Sequence, residues 1–207
     1  MGRIIKEARF SQPQLRGNYE KHPFRVMIYG IMISVCILFT MLTVAYIFTR
    51  VNSNMPSFSL PKTFYVSTIM LLLSSACLFV TKSKFENDDA QGFKLFYILA
   101  FALGILFVVG QVIGWIEMNN NGLSLLQNNG VSYIYLLSGT HVVHVIVGIL
   151  LLLYGLMLSI RKLNDPAISL VFFTDPARKF KLKMVSFYWH AMSAIWLLLL
   201  LFFSIFH

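Results

Sequence analysis

The chain has 207 residues, of which 57% are hydrophobic and 12% charged, with a mean hydropathy of +0.73 and a net charge of +9. These values exclude a water-soluble globular domain and indicate a polytopic membrane protein. The positive charge would suggest nucleic acid if it were spread over one surface, but it is confined to the ends of apolar stretches, so nucleic acid is not indicated.

Residues 1–25 are polar and basic, and Pro13 and Pro23 interrupt any long helix. They are read as a cytoplasmic arm whose Arg3, Lys6 and Arg9 meet lipid headgroups, with a disordered tail as the alternative. Residues 26–207 form the second unit. It contains five stretches long enough to cross a bilayer, which takes ~20 apolar residues: 26–49, 64–81, 95–116, 134–160 and 184–206. The first is too long for the apolar core of a cleavable signal peptide, and no small-residue cleavage site follows it. The fold expected is therefore all-α, a polytopic bundle of five transmembrane helices.

Of the 17 Lys and Arg, 15 fall before the first span, between the second and third, and between the fourth and fifth. Only Arg50 and Lys62 fall in the alternate loops. That asymmetry puts the N-terminus in the cytoplasm (or a matrix) and the C-terminus outside, in the periplasm of a bacterium.

The first span closes on AYIFTR, and Pro56 and Pro61 punctuate the outer loop after it. Cys36 and Cys77 lack CxxC spacing and are read as small apolar residues of the bundle. In the second span Thr68, Ser74, Ser75 and Ala76 let neighbouring helices approach, so packing is their expected role. A hinge, KSKFENDDAQG, follows, where Asp88 and Asp89 offer caps for the third helix. The third span carries Gly104, Gly110, Gln111, Gly114 and Trp115. Gly110 and Gly114 make a small-xxx-small face, and the Gln111 amide needs a partner in lipid. An uncharged, turn-rich outer loop leads to the fourth span and its motif SGTHVVHVIVG, which sets His141 and His144 on one helix face. The inner loop beyond it holds Asp165-Pro166, Asp175-Pro176 and an apolar LVFF patch expected along the membrane interface. The last span opens with FYWHAMSAIW, which places Trp189 and His190 near the inner side.

No Asp, Glu, Lys or Arg lies in the interior of any span. Ion-coupled transporters need such groups and usually show repeated halves, so an autonomous transporter is disfavoured. The imidazoles remain to be explained. Two haems would need pairs set further apart than i and i+3. A single haem could use His190 with His141 or His144, but at ~1.5 Å of rise per residue these differ in depth by ~15 Å and ~10 Å. A di-iron or dinuclear copper centre would need more His or Cys than these spans hold. Gln111 lies at about the depth of His141, and a hydrogen bond between them would satisfy both without a cofactor.

GQVIGW in the third span, SGTHVVHVIVG in the fourth and YWHAMSAIW in the fifth together resemble subunit III of the haem–copper terminal oxidases, in the five-helix bacterial form. The family pattern runs roughly gQ-x-x-e-W, tGfHg-x-Hv-x-x-G, YWHfvd-x-x-W. It matches here at Gln111 and Trp115; Gly139, His141, His144 and Gly148; and Tyr188, Trp189, His190 and Trp196. SSACLF and AYIFTR add to the likeness, which covers residue 26 to the end. The resemblance implies a subunit with no catalytic, metal or cofactor residues of its own, seated beside subunit I with subunit II and a small subunit IV. It would hold phospholipid and sustain proton uptake in the inner membrane; membership of a larger respiratory supercomplex is left open by the sequence. Gln111, Trp115, His141, His144, Trp189 and His190 would then be structural or lipid-contact residues. Val35, Gly114 and Ser193 stand where the family pattern carries acids, which argues against proton collection by a buried carboxylate of this chain. Cytochrome c is the expected electron donor of the complex. A quinol oxidase, an accessory subunit of a nitric-oxide-reductase-type complex, and a single-haem membrane cytochrome are the alternatives.

Overall fold

The computed structural model describes residues 23–52, 60–125, 129–162 and 173–206. They form five long helices: α1 (Pro23–Asn52), α2 (Lys62–Glu86), α3 (Ala90–Asn120), α4 (Asn129–Lys162) and α5 (Pro176–Phe206). All five are long and apolar enough to cross a membrane, as the hydropathy pattern requires. The chain is an all-α, multi-pass membrane protein. The expected basic arm lies outside the described residues, apart from the first turn of α1.

Helices α2 to α5 close a ring in which α2 packs on α3, α3 on α4, α4 on α5, and α5 back on α2; α1 lies outside it against α4 and α5. The α2–α3 hairpin is the most intimate pair. Small residues are the cause. A Cβ on Gly110 would sit 2.7 Å from Ser67 Cβ, and one on Gly114 would sit 2.8 Å from Phe64 Cδ1. The small-xxx-small face of α3 is therefore the seat of α2, where dispersion between close backbones replaces the hydrophobic drive that lipid cannot supply. Outside the ring, large apolar side chains such as Val44, Leu106 and Leu198 point away from the protein, as a lipid-facing surface demands.

Three helix ends differ from the expected ones, each for a local reason. The hinge KSKFENDDAQG is helix for most of its length, leaving a turn of only residues 87–89. Asp89 is the N-cap of α3, its carboxylate accepting from Gly92 N at 2.9 Å and from Lys84 Nζ at 2.9 Å. Asp88 does not cap; it takes the left-handed backbone conformation, φ 56°, that reverses the chain. The last helix begins at Pro176, eight residues before its apolar stretch, because Asp175 accepts from Ala177 N at 2.9 Å and Pro176 suits the first helical position. The intervening RKFKLK is charged yet helical.

The LVFF patch is described only at Phe173. That ring faces the helices. It is buried in the bundle, edge-on to Phe85 at 5.2 Å and to Phe93 at 6.1 Å.

Candidate functional site

The residues of the three motifs meet in one buried seam through the middle of the ring. Trp189 of α5 forms its base. The indole is wedged between two glycines: a Cβ on Gly104 would come within 2.7 Å of Cη2, and one on Gly148 within 3.0 Å of Cε3. Both glycines are thus required by one side chain that spans from α3 to α4. Beside it, Tyr188 donates its hydroxyl to His144 O at 2.9 Å, tying α5 to α4. Trp189 is fully enclosed rather than at an interface, and its Nε1 has no hydrogen-bond partner among the described residues.

The predicted bond between Gln111 and His141 is absent. Gln111 Nε2 donates instead to Ser67 Oγ at 2.8 Å, and Ser67 in turn donates to Phe64 O at 3.0 Å. The competing partner wins because Ser67 lies on α2 directly against Gly110, one residue from the amide. His141 is fully buried and makes ring contacts instead. Its imidazole stacks on Trp196 at 5.1 Å and 29°, with Phe107 edge-on at 6.0 Å and Phe39 at 5.9 Å. Neither of its nitrogens has a hydrogen-bond partner among the described residues. It behaves as a flat aromatic plate locking α1, α3, α4 and α5 together.

His144, for which the sequence offered no partner, donates Nδ1 to Thr140 O at 2.7 Å on its own helix and lies 6.0 Å from the Phe39 ring. His190 Nδ1 shares a hydrogen bond with Ser75 Oγ at 2.5 Å, fastening α5 to α2. Trp115 donates Nε1 to Ser138 Oγ at 3.0 Å, and Tyr135 reaches back to Trp115 O at 3.1 Å, joining α3 and α4. His141 and His144 thus share the Phe39 ring while His190 is taken by Ser75.

The hydroxyls of α2 do more than allow close packing. Thr68 Oγ1 accepts from Trp196 Nε1 at 2.8 Å, and Ser74 donates to Ala100 O at 2.6 Å. With Ser67 and Ser75 they place two pairs of hydrogen bonds about two turns apart along α2, each pair with one bond to α3 and one to α5. Their i, i+1, i+7, i+8 spacing was visible in the sequence, but spacing does not name partners. The positions where the family pattern has acids are packed shut. Val35 is buried, Gly114 lies under the Phe64 ring, and Ser193 donates to Trp189 O at 2.9 Å. Gly139 has open space at its Cβ position, and nothing in the bundle explains it.

Outside the spans, the Asp89 carboxyl is held below its ordinary value, first by the Gly92 N–H and then by Lys84.

The sequence model of the family described as cytochrome c oxidase subunit III matches residues 53–207, which include every residue of the seam except Phe39. The chain belongs to that family. Among similar proteins, the cytochrome c oxidase subunit 3 of Thermostichus vulcanus is 28% identical over 185 residues, covering 86% of each chain. That of Synechocystis is 27% identical over 65% of this chain and 52% of its own length. That of Corynebacterium diphtheriae is 27% identical over 64% of this chain and 60% of its own length. The chain thus spans nearly all of the first relative and little more than half of the other two.

Proposed function

We propose that this chain is the non-catalytic subunit III of a respiratory haem–copper oxidase that takes electrons from cytochrome c, in a bacterial inner membrane. It stands beside subunit I, with subunit II and a small subunit IV, stabilises subunit I, holds phospholipid and sustains proton uptake. Residues 1–25 are its cytoplasmic arm, residues 26–207 its membrane domain, and the C-terminus faces the periplasm. Haem and copper belong to the partner subunits, and this chain supplies neither ligands nor a reacting group. The six motif residues Gln111, Trp115, His141, His144, Trp189 and His190 are structural.

The observation that carries this reading is the fate of the polar seam. Gln111, Trp115, His141, Trp189 and His190 each hold one helix to another, so the motif describes a rigid body rather than a reaction centre. Closure of the positions that carry acids in the family pattern supports a role in shape, not proton transfer. A single-haem cytochrome is less well served, because His141 is enclosed by Phe39, Phe107 and Trp196 and His190 is turned to Ser75.

Purification in mild detergent tests the reading. The tagged chain is expected to bring a haem-bearing partner with a Soret band, and to lose that band once separated from its partners. His141→Leu should leave the complex's haem spectrum unchanged. A Soret band retained by the isolated chain, or recovery of this chain alone, would sink the proposal.

A further inference from the structure

Hydroxyls inside the spans mostly turn back on their own helix. Ser34, Thr40, Thr43, Thr81, Ser138 and Ser159 each donate to the carbonyl four residues earlier. Thr140 does not. Its carbonyl accepts from His144 Nδ1, which fixes the tautomer of the neutral imidazole and leaves Nε2 as an acceptor. Among the described residues neither Thr140 Oγ1 nor His144 Nε2 makes a hydrogen bond, and neither atom is sealed inside the bundle. The two half-buried side chains stand four residues apart on one face of α4, where Val143 is 60% and Val147 46% exposed. Gly139 adjoins them, with open space where its Cβ would stand. This face therefore presents two unspent polar atoms and a gap in the wall of side chains.

Depth decides what can cover it. His144 lies one residue from the centre of the Gly130–Ile160 span. The hydrocarbon core is ~30 Å thick, so headgroups stand ~15 Å away, and acyl chains offer no hydrogen-bond donor. A second copy in the same membrane orientation serves no better. A two-fold axis along the membrane normal brings each residue to its mate at equal depth, and sets His144 Nε2 against another acceptor. The occupant that fits is a helix of a different polypeptide, with an N–H or O–H group near the midplane.

We propose that the α4 face formed by Gly139, Thr140 and His144 docks a transmembrane helix of the haem-bearing subunit, which donates a side-chain hydrogen bond to His144 Nε2. The inference rests on the subunit reading above and deepens it by naming the contact. A carboxamide on that helix satisfies both open atoms, its NH2 donating to Nε2 and its oxygen accepting from the Thr140 hydroxyl. Gly139 lets the backbones approach closely enough for the bond to form. His144 thus does between chains what the other motif residues do within this one.

The test uses the tagged full chain with its co-purifying partners in mild detergent. Association is read as the concentration at which dilution releases half of the haem-bearing partner, followed by the Soret band per chain recovered. Gly139→Leu meets nothing of its own chain at the Cβ position, yet should raise that concentration about tenfold by overpacking the contact. Gly30→Leu, at an equally open glycine of α1, should not change it. His144→Leu and Thr140→Val, which leave Gly139 in place, should each raise it about threefold to thirtyfold, the range for one hydrogen bond between membrane helices. His144→Gln, which keeps an acceptor, should lose less than His144→Leu. A benzophenone side chain in place of Val143 should crosslink to the haem-bearing subunit on illumination. Equal effects at Gly139 and Gly30, no effect of His144→Leu, or crosslinking to a second copy of this chain or to a subunit without haem would overturn the proposal. A native chain that recovers no haem-bearing partner would instead refute the subunit reading, so the two failures are distinguishable.

Discussion

The clamp around Trp189 makes a prediction whose sign can be worked out. Gly104→Ala adds a methyl 2.7 Å from Cη2 and 2.9 Å from Cζ2 of the indole, inside any real contact. A free side chain would swing away. This one cannot, because Gly148 already lies close to the other edge of the ring, where a Cβ would stand 3.0 Å from Cε3. Overpacking of this kind costs about 1–3 kcal/mol. Against it stands the helical preference of Ala over Gly, worth about 0.5–1 kcal/mol. Gly104→Ala in the native chain should therefore be neutral to destabilising by about 2 kcal/mol. In a Trp189→Phe background the far ring carbons are gone, and the same methyl enters vacated space. There Gly104→Ala should stabilise, by about 0.5–1 kcal/mol plus whatever cavity it fills. The double-mutant coupling is then about 1–3 kcal/mol. Thermal unfolding in mild detergent reads it, since 1 kcal/mol moves the midpoint by about 2–4 °C in a chain of this size. Equal shifts in the two backgrounds would refute the clamp, because additivity means that the methyl and the indole do not meet.

Two further outcomes follow from the helix contacts. Ser67→Ala removes the acceptor of Gln111 Nε2, leaves that amide buried without a partner, and should cost about 1–3 kcal/mol; adding Gln111→Leu should recover much of the loss, and a Ser67→Ala chain as stable as the parent in the same unfolding assay would contradict the bond. Asp89, whose carboxyl sits below the ordinary value of 3.8, contributes stability that is fully present above that value and fades as pH falls through the lowered one. The midpoint of the native chain should therefore drop more than that of Asp89→Ala between about pH 6 and pH 3, and parallel curves would show that the cap contributes nothing.

Much of the fold was legible because the bilayer admits few solutions. Spans 26–49 and 95–116 read as helices since any uninterrupted apolar stretch of that length must satisfy its own backbone. The ends were less legible, because they depend on particular atoms: the carboxylate of Asp89 at Gly92 N, or of Asp175 at Ala177 N. The apolar count stops at Met184, but the helix continues to Pro176 because a charged helical turn at the membrane surface leaves no hydropathy signal. In the site, the motif residues and the close approach at Gly110 and Gly114 could be read from spacing. Their partners could not. Gln111 and His141 share a depth, yet depth along the membrane normal says nothing about which helices are neighbours or how they are rotated.

Composition, charge asymmetry and motif order by themselves determined that this chain is a bundle of five membrane helices, and they pointed to its family. These are one-dimensional properties, and the bilayer turns them directly into spans and orders them. The tertiary structure alone decided that Ser67 takes Gln111, that His141 becomes an aromatic plate against Trp196, and that Trp189 needs both Gly104 and Gly148. Those outcomes depend on the rotation of each helix about its own axis. That rotation is set by the summed packing of all five, and no single stretch of sequence contains it.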